Sequence, residues 1–345
     1  MGKWQSKFYV GIFSAVILFV FSVPVFADKP ITLRLSSFLP SGHFMNVKII
    51  KPWIADIEKR TNGKVKIKVY AGGALGKPQE QYDMAARGVA DITWGILAYS
   101  PGKFPLATVV ELPFMSPSAE VGSRMVQRLY DKGYFGDEFD EVKLLTLAMP
   151  PNMDLHSRKH PVKKLEDLKG MKIRTPSAMI GGLIKNWGGV PVAMPAPDVY
   201  MSLERGVIDS IFLDPLTLMG LKIYEVTKYH TRVGISTTVL FFAMNKKTWD
   251  SLSPDVQKVF DELSGEHLGA DLNGKIADRA VLGVYKKLAA SGDTIITLSP
   301  QEMEKWKASS QPAFDAWLKS MEKKGLPGKK VLDETYRLRK EVGGF

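Results

Sequence analysis

The stretch Glu166-Asp-Leu-Lys-Gly-Met-Lys-Ile-Arg-Thr-Pro-Ser177 decides how this chain folds. Gly170 suits the positive-φ position that closes a helical turn, and Met171 to Arg174 then alternate apolar and basic, the period of a half-buried strand. Arg174 therefore ends a strand. Thr175-Pro176-Ser177 follows as a turn with an N-cap residue, so a helix opens beside the guanidinium with its first N–H groups unpaired. Open α/β sheets bind ligands at the carboxyl ends of their strands, and a helix N-terminus next to an arginine suits an anion. The competing reading is a surface arginine in an ordinary β–α connection.

On the N-terminal side, Ile31 to Phe38 alternates as a first strand, and Phe44 to Arg60 carries Val47, Ile50, Ile54 and Ile57 at helical spacing. Lys64 to Tyr70 reads as a second strand. A glycine turn (Gly72-Gly73-Ala74-Leu75-Gly76), a helix from about Gln79 and the strand Asp91 to Gly95 complete a β-α-β-α-β order, which predicts a parallel sheet. The device recurs. Met84-Ala-Ala-Arg-Gly-Val-Ala-Asp-Ile92 lines up with Ser202-Leu-Glu-Arg-Gly-Val-Ile-Asp-Ser-Ile211, each with a helix ending at Gly, one hydrophobic residue packing down and an Asp opening a strand. Two α/β lobes of related build follow, with second-lobe strands at 172–174, 190–194 and 210–213.

Thr238 to Asn245 reads as a strand returning the chain from the second lobe. From Asp255 to about Ala290 no proline interrupts the helical spacing, which predicts one helix of about 50 Å lying across both lobes. A short strand (294–298) and two helices (302–324, 329–342) close the chain. The domain reading is residues 28–151 for the first lobe, with about 241–270 returning to it. Residues 152–240 form the second, with the spanning helix and the terminal helices (271–345) assigned to it.

Met1 to Lys7 carries two lysines, Phe8 to Phe21 is almost wholly apolar, and Val25-Phe26-Ala27 offers small residues for a peptidase. Residues 1–27 read as a secretory signal, so a periplasmic location is expected. There is no Cys, which excludes a disulfide framework, a thiol nucleophile and lipid attachment. The formal charge of +11 fits steering of small anions, but no basic and aromatic alternation suggests nucleic acid. His43, His156, His160, His230 and His267 lack metal-ligand spacing, and neither a nucleophile elbow nor a dinucleotide fingerprint is present. Gly72 to Lys77 is followed by Pro78 and reads as a turn, not a phosphate loop. No catalysis, cofactor or metal is expected.

Several ordered motifs resemble the solute-binding proteins of tripartite ATP-independent periplasmic (TRAP) transporters, of the DctP type. They are Leu33-Arg-Leu-Ser-Ser-Phe, Tyr70-Ala-Gly-Gly-Ala-Leu-Gly, Arg87-Gly-Val-Ala-Asp-Ile, the Leu165 to Pro176 stretch, Pro191-Val-Ala-Met-Pro and Asp198-Val-Tyr-Met-Ser-Leu-Glu-Arg-Gly-Val-Ile-Asp. The resemblance implies a two-lobed, type II-like periplasmic binding protein fold with crossing strands and a long shared helix. It further implies a monomer that closes over one organic acid and works with TRAP membrane subunits. The family's carboxylate-binding arginine falls on Arg174. A second arginine that many members place upstream has no clear counterpart in Pro151-Asn-Met-Asp-Leu-His156, and Arg158 lies too close to the strand.

Sugar-acid members look to have acidic, Arg and Asn groups where this chain reads Lys77-Pro78, Trp94 to Tyr99 and Ile211 to Pro215. Phe38, Trp94, Tyr99 and Phe212 fall at or just past the carboxyl ends of predicted strands; each has a core residue as its plain alternative. Met153 and Met194 lie in the same rim segments. Together they predict an apolar pocket for an aromatic or hydrophobic monocarboxylate, such as an aryl 2-hydroxy or 2-oxo acid, with Asp214 or Tyr99 reading the 2-substituent. A C4-dicarboxylate or an aliphatic 2-oxo acid is the alternative. N-terminal sequencing of the mature chain should find Asp28 first; retention of residues 1–27 would indicate a membrane-anchored sensing ectodomain instead.

Overall fold

The computed structural model describes residues 1–2 and 29–343, so the expected signal segment lies outside the described residues apart from Met1 and Gly2. The strands are β1 (Ile31–Ser36), β2 (Val65–Tyr70), β3 (Ile92–Ile96), β4 (Lys143–Ala148), β5 (Asp154–Ser157), β6 (Lys172–Thr175), β7 (Val190–Ala193), β8 (Ser210–Leu213), β9 (Tyr229–Arg232), β10 (Leu240–Met244) and β11 (Thr294–Thr297). They form two sheets, ordered β2-β1-β3-β10-β4 and β7-β6-β8-β5-β9-β11. Both begin with the same parallel trio, and in both the fourth strand is an antiparallel one that arrives from the other lobe. The lobes are thus tied by exchange of β5 and β10.

The repeated sequence motif has a definite structural job. Asp91 and Asp209 each bracket one residue of the middle strand of their parallel trio: the Asp91 carboxylate accepts from the Arg34 amide at 2.8 Å, and the Asp209 carboxylate from the Lys172 amide at 2.8 Å. Gly88 and Gly206 take φ of 73° and 71°, which glycine adopts without steric cost. One hydrophobic residue packs down between each glycine and aspartate, and it is not the valine. Val89 and Val207 are 48% and 51% exposed, because the chain turns back on the helix through bonds from Val89 N to Met84 O and Val207 N to Ser202 O. Ala90 and Ile208 enter the core in their place.

Helices α1 (Lys51–Arg60), α2 (Gln81–Arg87) and α3 (Ala119–Asp131) belong to the first lobe, and α4 (Ala178–Asn186), α5 (Val199–Glu204) and α6 (Pro215–Gly220) to the second. They cover the sheet faces, so each lobe carries two apolar clusters separated by its sheet. After β10 come α7 (Lys246–Ser251), α8 (Pro254–Glu262), α9 (Lys275–Ala290), α10 (Pro300–Ala308), α11 (Gln311–Lys323) and α12 (Gly328–Gly343). The single helix expected over 255–290 is broken. Gly265, at φ 55°, ends the first piece, and a π-helical segment His267–Gly274 then runs into α9. This second piece still meets both lobes, touching β4 and α3 on one side and α6 and β11 on the other. A side chain on Gly274 would stand 2.5 Å from the Glu120 Cα, so the close approach to α3 needs glycine.

Two further expectations are corrected. The helix expected over 302–324 is two helices, with Pro312 in the first turn of α11. The closing helices, expected with the second lobe, divide: α10 packs there through Trp306, whereas α12 packs on α3, and Trp317, Met321, Val331 and Leu338 join the first lobe's core. Arg128 of α3 pairs with Glu341 of α12, and the same face of α3 holds the π-helical segment through Arg128–Glu266, Arg124–Glu266 and Arg124–Asp271 pairs.

The crossing segment 233–239 is held by buried carboxylates. Asp154 accepts from the Val233 and Gly234 amides at 2.7 Å each, and Glu111 from the Val239 amide at 2.8 Å, which satisfies donors that no sheet partner meets. Burial pushes the Glu111 carboxyl from its ordinary 4.5 up to about 8, so it is neutral in the folded chain at pH 7 and ionised in the unfolded one. The folded state therefore holds a proton the unfolded state releases, and this contribution is lost as pH rises from about 4.5 to about 8. Glu111→Gln should flatten the decline of unfolding free energy over that window in denaturant titrations; an unchanged pH profile would contradict the assignment.

Candidate ligand-binding site

A cavity of about 60 Å³, partly open to solvent, lies between the lobes where the carboxyl ends of β1, β3, β6 and β8 converge. Arg174 enters it from β6 and is 1% exposed. Its Nε donates to the Met194 carbonyl at 3.0 Å, its Nη1 to the Phe212 carbonyl at 3.2 Å and its Nη2 to the Tyr99 hydroxyl at 3.4 Å. These use three of the five N–H donors of a guanidinium, leaving one on each Nη. Arg174 forms no ion pair among the described residues. Burial lowers its pKa from the ordinary value, with Tyr99 and Asp214 opposing, yet the guanidinium keeps its charge at neutral pH because that value lies so high.

Tyr99 joins the lobes. It stands just past β3, on the first lobe, and its hydroxyl accepts from Arg174 and from the Ala196 amide (2.9 Å), both on the second. With two donors directed at its oxygen, the hydroxyl's own proton faces away from both. Asp214 follows β8 and caps α6, its Oδ1 accepting from the Leu216 and Thr217 amides at 3.1 and 2.9 Å. Burial raises its carboxyl above the usual range.

The structure brings Arg174, Phe38, Trp94, Tyr99, Met153 and Asp214 together as lining residues. Phe38 packs on Trp94 with ring centroids 4.6 Å apart and on Tyr99 at 6.2 Å. Phe212 and Met194 are not in the lining. Successive side chains of a strand point to opposite faces, so Leu213 meets the cavity while the Phe212 ring packs against Trp187 in the second lobe's core. Met194 packs beside α5. Both still serve the site through their carbonyls, as the acceptors that orient Arg174.

Nor does the helix N-terminus after Arg174 reach the cavity. The Thr175 hydroxyl donates to the Ser177 carbonyl and turns the chain, so Pro176 lines this cavity while Ser177 and Ala178 line a separate one. Arg158 lies beside Gly206, away from the lining. Sequence reasoning missed His43, Leu39, Thr237 and Thr238, all of which line the cavity. His43 had one readable signal: with Phe38 it follows the carboxyl end of β1, on the rim the other site residues share. Among the described residues no cluster of side chains could hold a metal ion, and no helix is long and apolar enough to cross a membrane.

With the geometry in hand, comparison with known proteins is informative. The family model for bacterial extracellular solute-binding protein, family 7 (DctP), matches residues 35–323. A marine metagenome TRAP solute-binding protein specific for aromatic acid ligands, solved with 3-hydroxybenzoate, is 32% identical, with a TM-score of 0.87 and coverage of 91% of this chain and 99% of that one. A TRAP solute-binding protein from Rhodoferax ferrireducens, solved with copurified benzoate, is 28% identical, with a TM-score of 0.88 and coverage of 91% and 99%. One from Bordetella bronchiseptica, with bound (R)- and (S)-mandelate, is 28% identical, with a TM-score of 0.83 and coverage of 91% and 100%. This chain belongs to the DctP family, the solute-binding proteins of TRAP transporters.

Proposed function

We propose that this protein captures an aromatic monocarboxylate in the periplasm and delivers it to the membrane subunits of a TRAP transporter. The observation that carries the reading is Arg174: a fully buried cation with no anionic partner among the described residues, two donors to spare and a largely apolar cavity in front of it. Such a charge is costly to bury alone, and a ligand carboxylate both neutralises it and completes its hydrogen bonds. Phe38, Trp94, Met153 and Leu240 then offer rings and aliphatic groups to the rest of the acid, at roughly 25 cal/mol per Å² buried. The benzoate, hydroxybenzoate and mandelate held by the similar structures support an aryl acid. One lining arginine supports one carboxylate over two. Delivery to a permease and the periplasmic location rest on the family, which also offers no reason to look for catalysis.

Calorimetric titration with benzoate, 3-hydroxybenzoate and mandelate tests the reading directly. At least one should bind, whereas glucuronate and succinate should not compete. Arg174→Ala should cost about 2–5 kcal/mol of binding free energy, and Arg174→Lys should not restore it, because a point charge cannot reproduce the two-pronged contact. Near-native affinity in both variants would refute the site.

A further inference from the structure

Two residues that line the cavity each carry a buried hydrogen-bond donor with no partner among the described residues. His43 Nδ1 accepts from the Met45 amide at 3.1 Å, so that nitrogen carries no proton and, in the neutral ring, Nε2 does. Burial drops the His43 pKa to about 4, which keeps the ring neutral at pH 7. Its Nε2 is buried and has no partner among the described residues. Trp94 Nε1, a donor only, is in the same condition. Both residues line the cavity.

Neither ring is free to turn toward another acceptor. A β-carbon on Gly220 would stand 2.2 Å from His43 Cδ2 and 2.6 Å from Nε2, so the imidazole edge lies flat against α6 of the opposite lobe. The indole is held between Phe38 (4.6 Å) and Phe242 (6.0 Å, stacked). Leaving a buried donor unpaired is unfavourable, and two in one ligand cavity outside the carboxylate's arginine point to something the ligand brings.

Resting on the function proposed above, we infer that the captured acid carries a second, uncharged oxygen, received by His43 Nε2–H and Trp94 Nε1–H while Arg174 holds the carboxylate. Both donors are neutral, so a hydroxyl, ether or carbonyl oxygen fits them, and a second carboxylate would lie buried without a counter-cation. His43 and Trp94 are then specificity-determining residues: a site built to hydrogen-bond an oxygen rejects the analogue that lacks it. The oxygen has two chemical sources, a ring hydroxyl or an oxygen on the carbon next to the carboxyl group.

Two ligand pairs separate them in calorimetry: benzoate against 3-hydroxybenzoate, and phenylacetate against mandelate. The wild-type protein should prefer the oxygenated member of at least one pair by about tenfold or more, and the pair that responds identifies the source. In His43→Leu and Trp94→Phe, checked for folding by circular dichroism, the preference ratio should fall toward unity. If parent and oxygenated acids bind the wild type equally, this inference is overturned and the aromatic-acid reading stands. An unchanged ratio in both variants also overturns it. If none of the four acids binds, both readings fall.

Discussion

A positive charge buried with no ion pair among the described residues is the constraint on which the rest of this structure depends. Arg174 is held by two carbonyls and one hydroxyl, enough to fix its orientation but not to neutralise it. Its partners come from three places: the loop after β7, strand β8, and Tyr99 of the opposite lobe. The guanidinium therefore gains its third partner only when the lobes meet, and one donor on each Nη stays unused by the protein. Under the proposed function, binding and closure are coupled through this one group, since a carboxylate pairing with Arg174 favours the arrangement in which Tyr99 also reaches it.

The architecture supports that coupling. Exchange of β5 and β10 makes each lobe's sheet include a strand delivered by the other, so the lobes cannot separate without bending the crossing segments. Those segments are not extended sheets themselves. The Val233, Gly234 and Val239 amides are met by the Asp154 and Glu111 carboxyl groups, while Met153 N donates to Ser236 O and Ile235 N to Met153 O between the two segments. The π-helical segment and α9 then brace both lobes from the outside.

Much of this was legible in the sequence because it is local. Gly170, the alternation to Arg174 and the Ser177 cap are decided by neighbouring residues, and the structure places a φ of 76° at Gly170 and a strand over Lys172–Thr175. The repeated Arg-Gly-Val-x-Asp carried the two-lobe reading for the same reason, although which of its apolar residues packs depended on the geometry of the turn. What was not legible is long-range. Strand β5 reads Asp-Leu-His-Ser, a poor strand pattern, and is buried because it lies inside the sheet between β8 and β9, where His156 meets His230 at 2.9 Å. Phe212 and Leu213 differ only in which face of β8 they occupy, and a shift of one residue reverses them. His43 joins the site only through the tertiary fold, where α6 of the other lobe closes over it. The break at Ser264-Gly265 was visible as a glycine, but the helical spacing on both sides hid it.

The central claim is that the cavity selects a negative charge on an aromatic body, and the most direct measurement compares benzoate with benzamide, which share shape and ring but not charge. Calorimetric titration of the purified protein should find benzoate bound and benzamide weaker by at least about a hundredfold, the effect of leaving Arg174 buried and unneutralised. Equal affinity for the two would show that Arg174 does not meet the ligand carboxylate, and would contradict the account at its root.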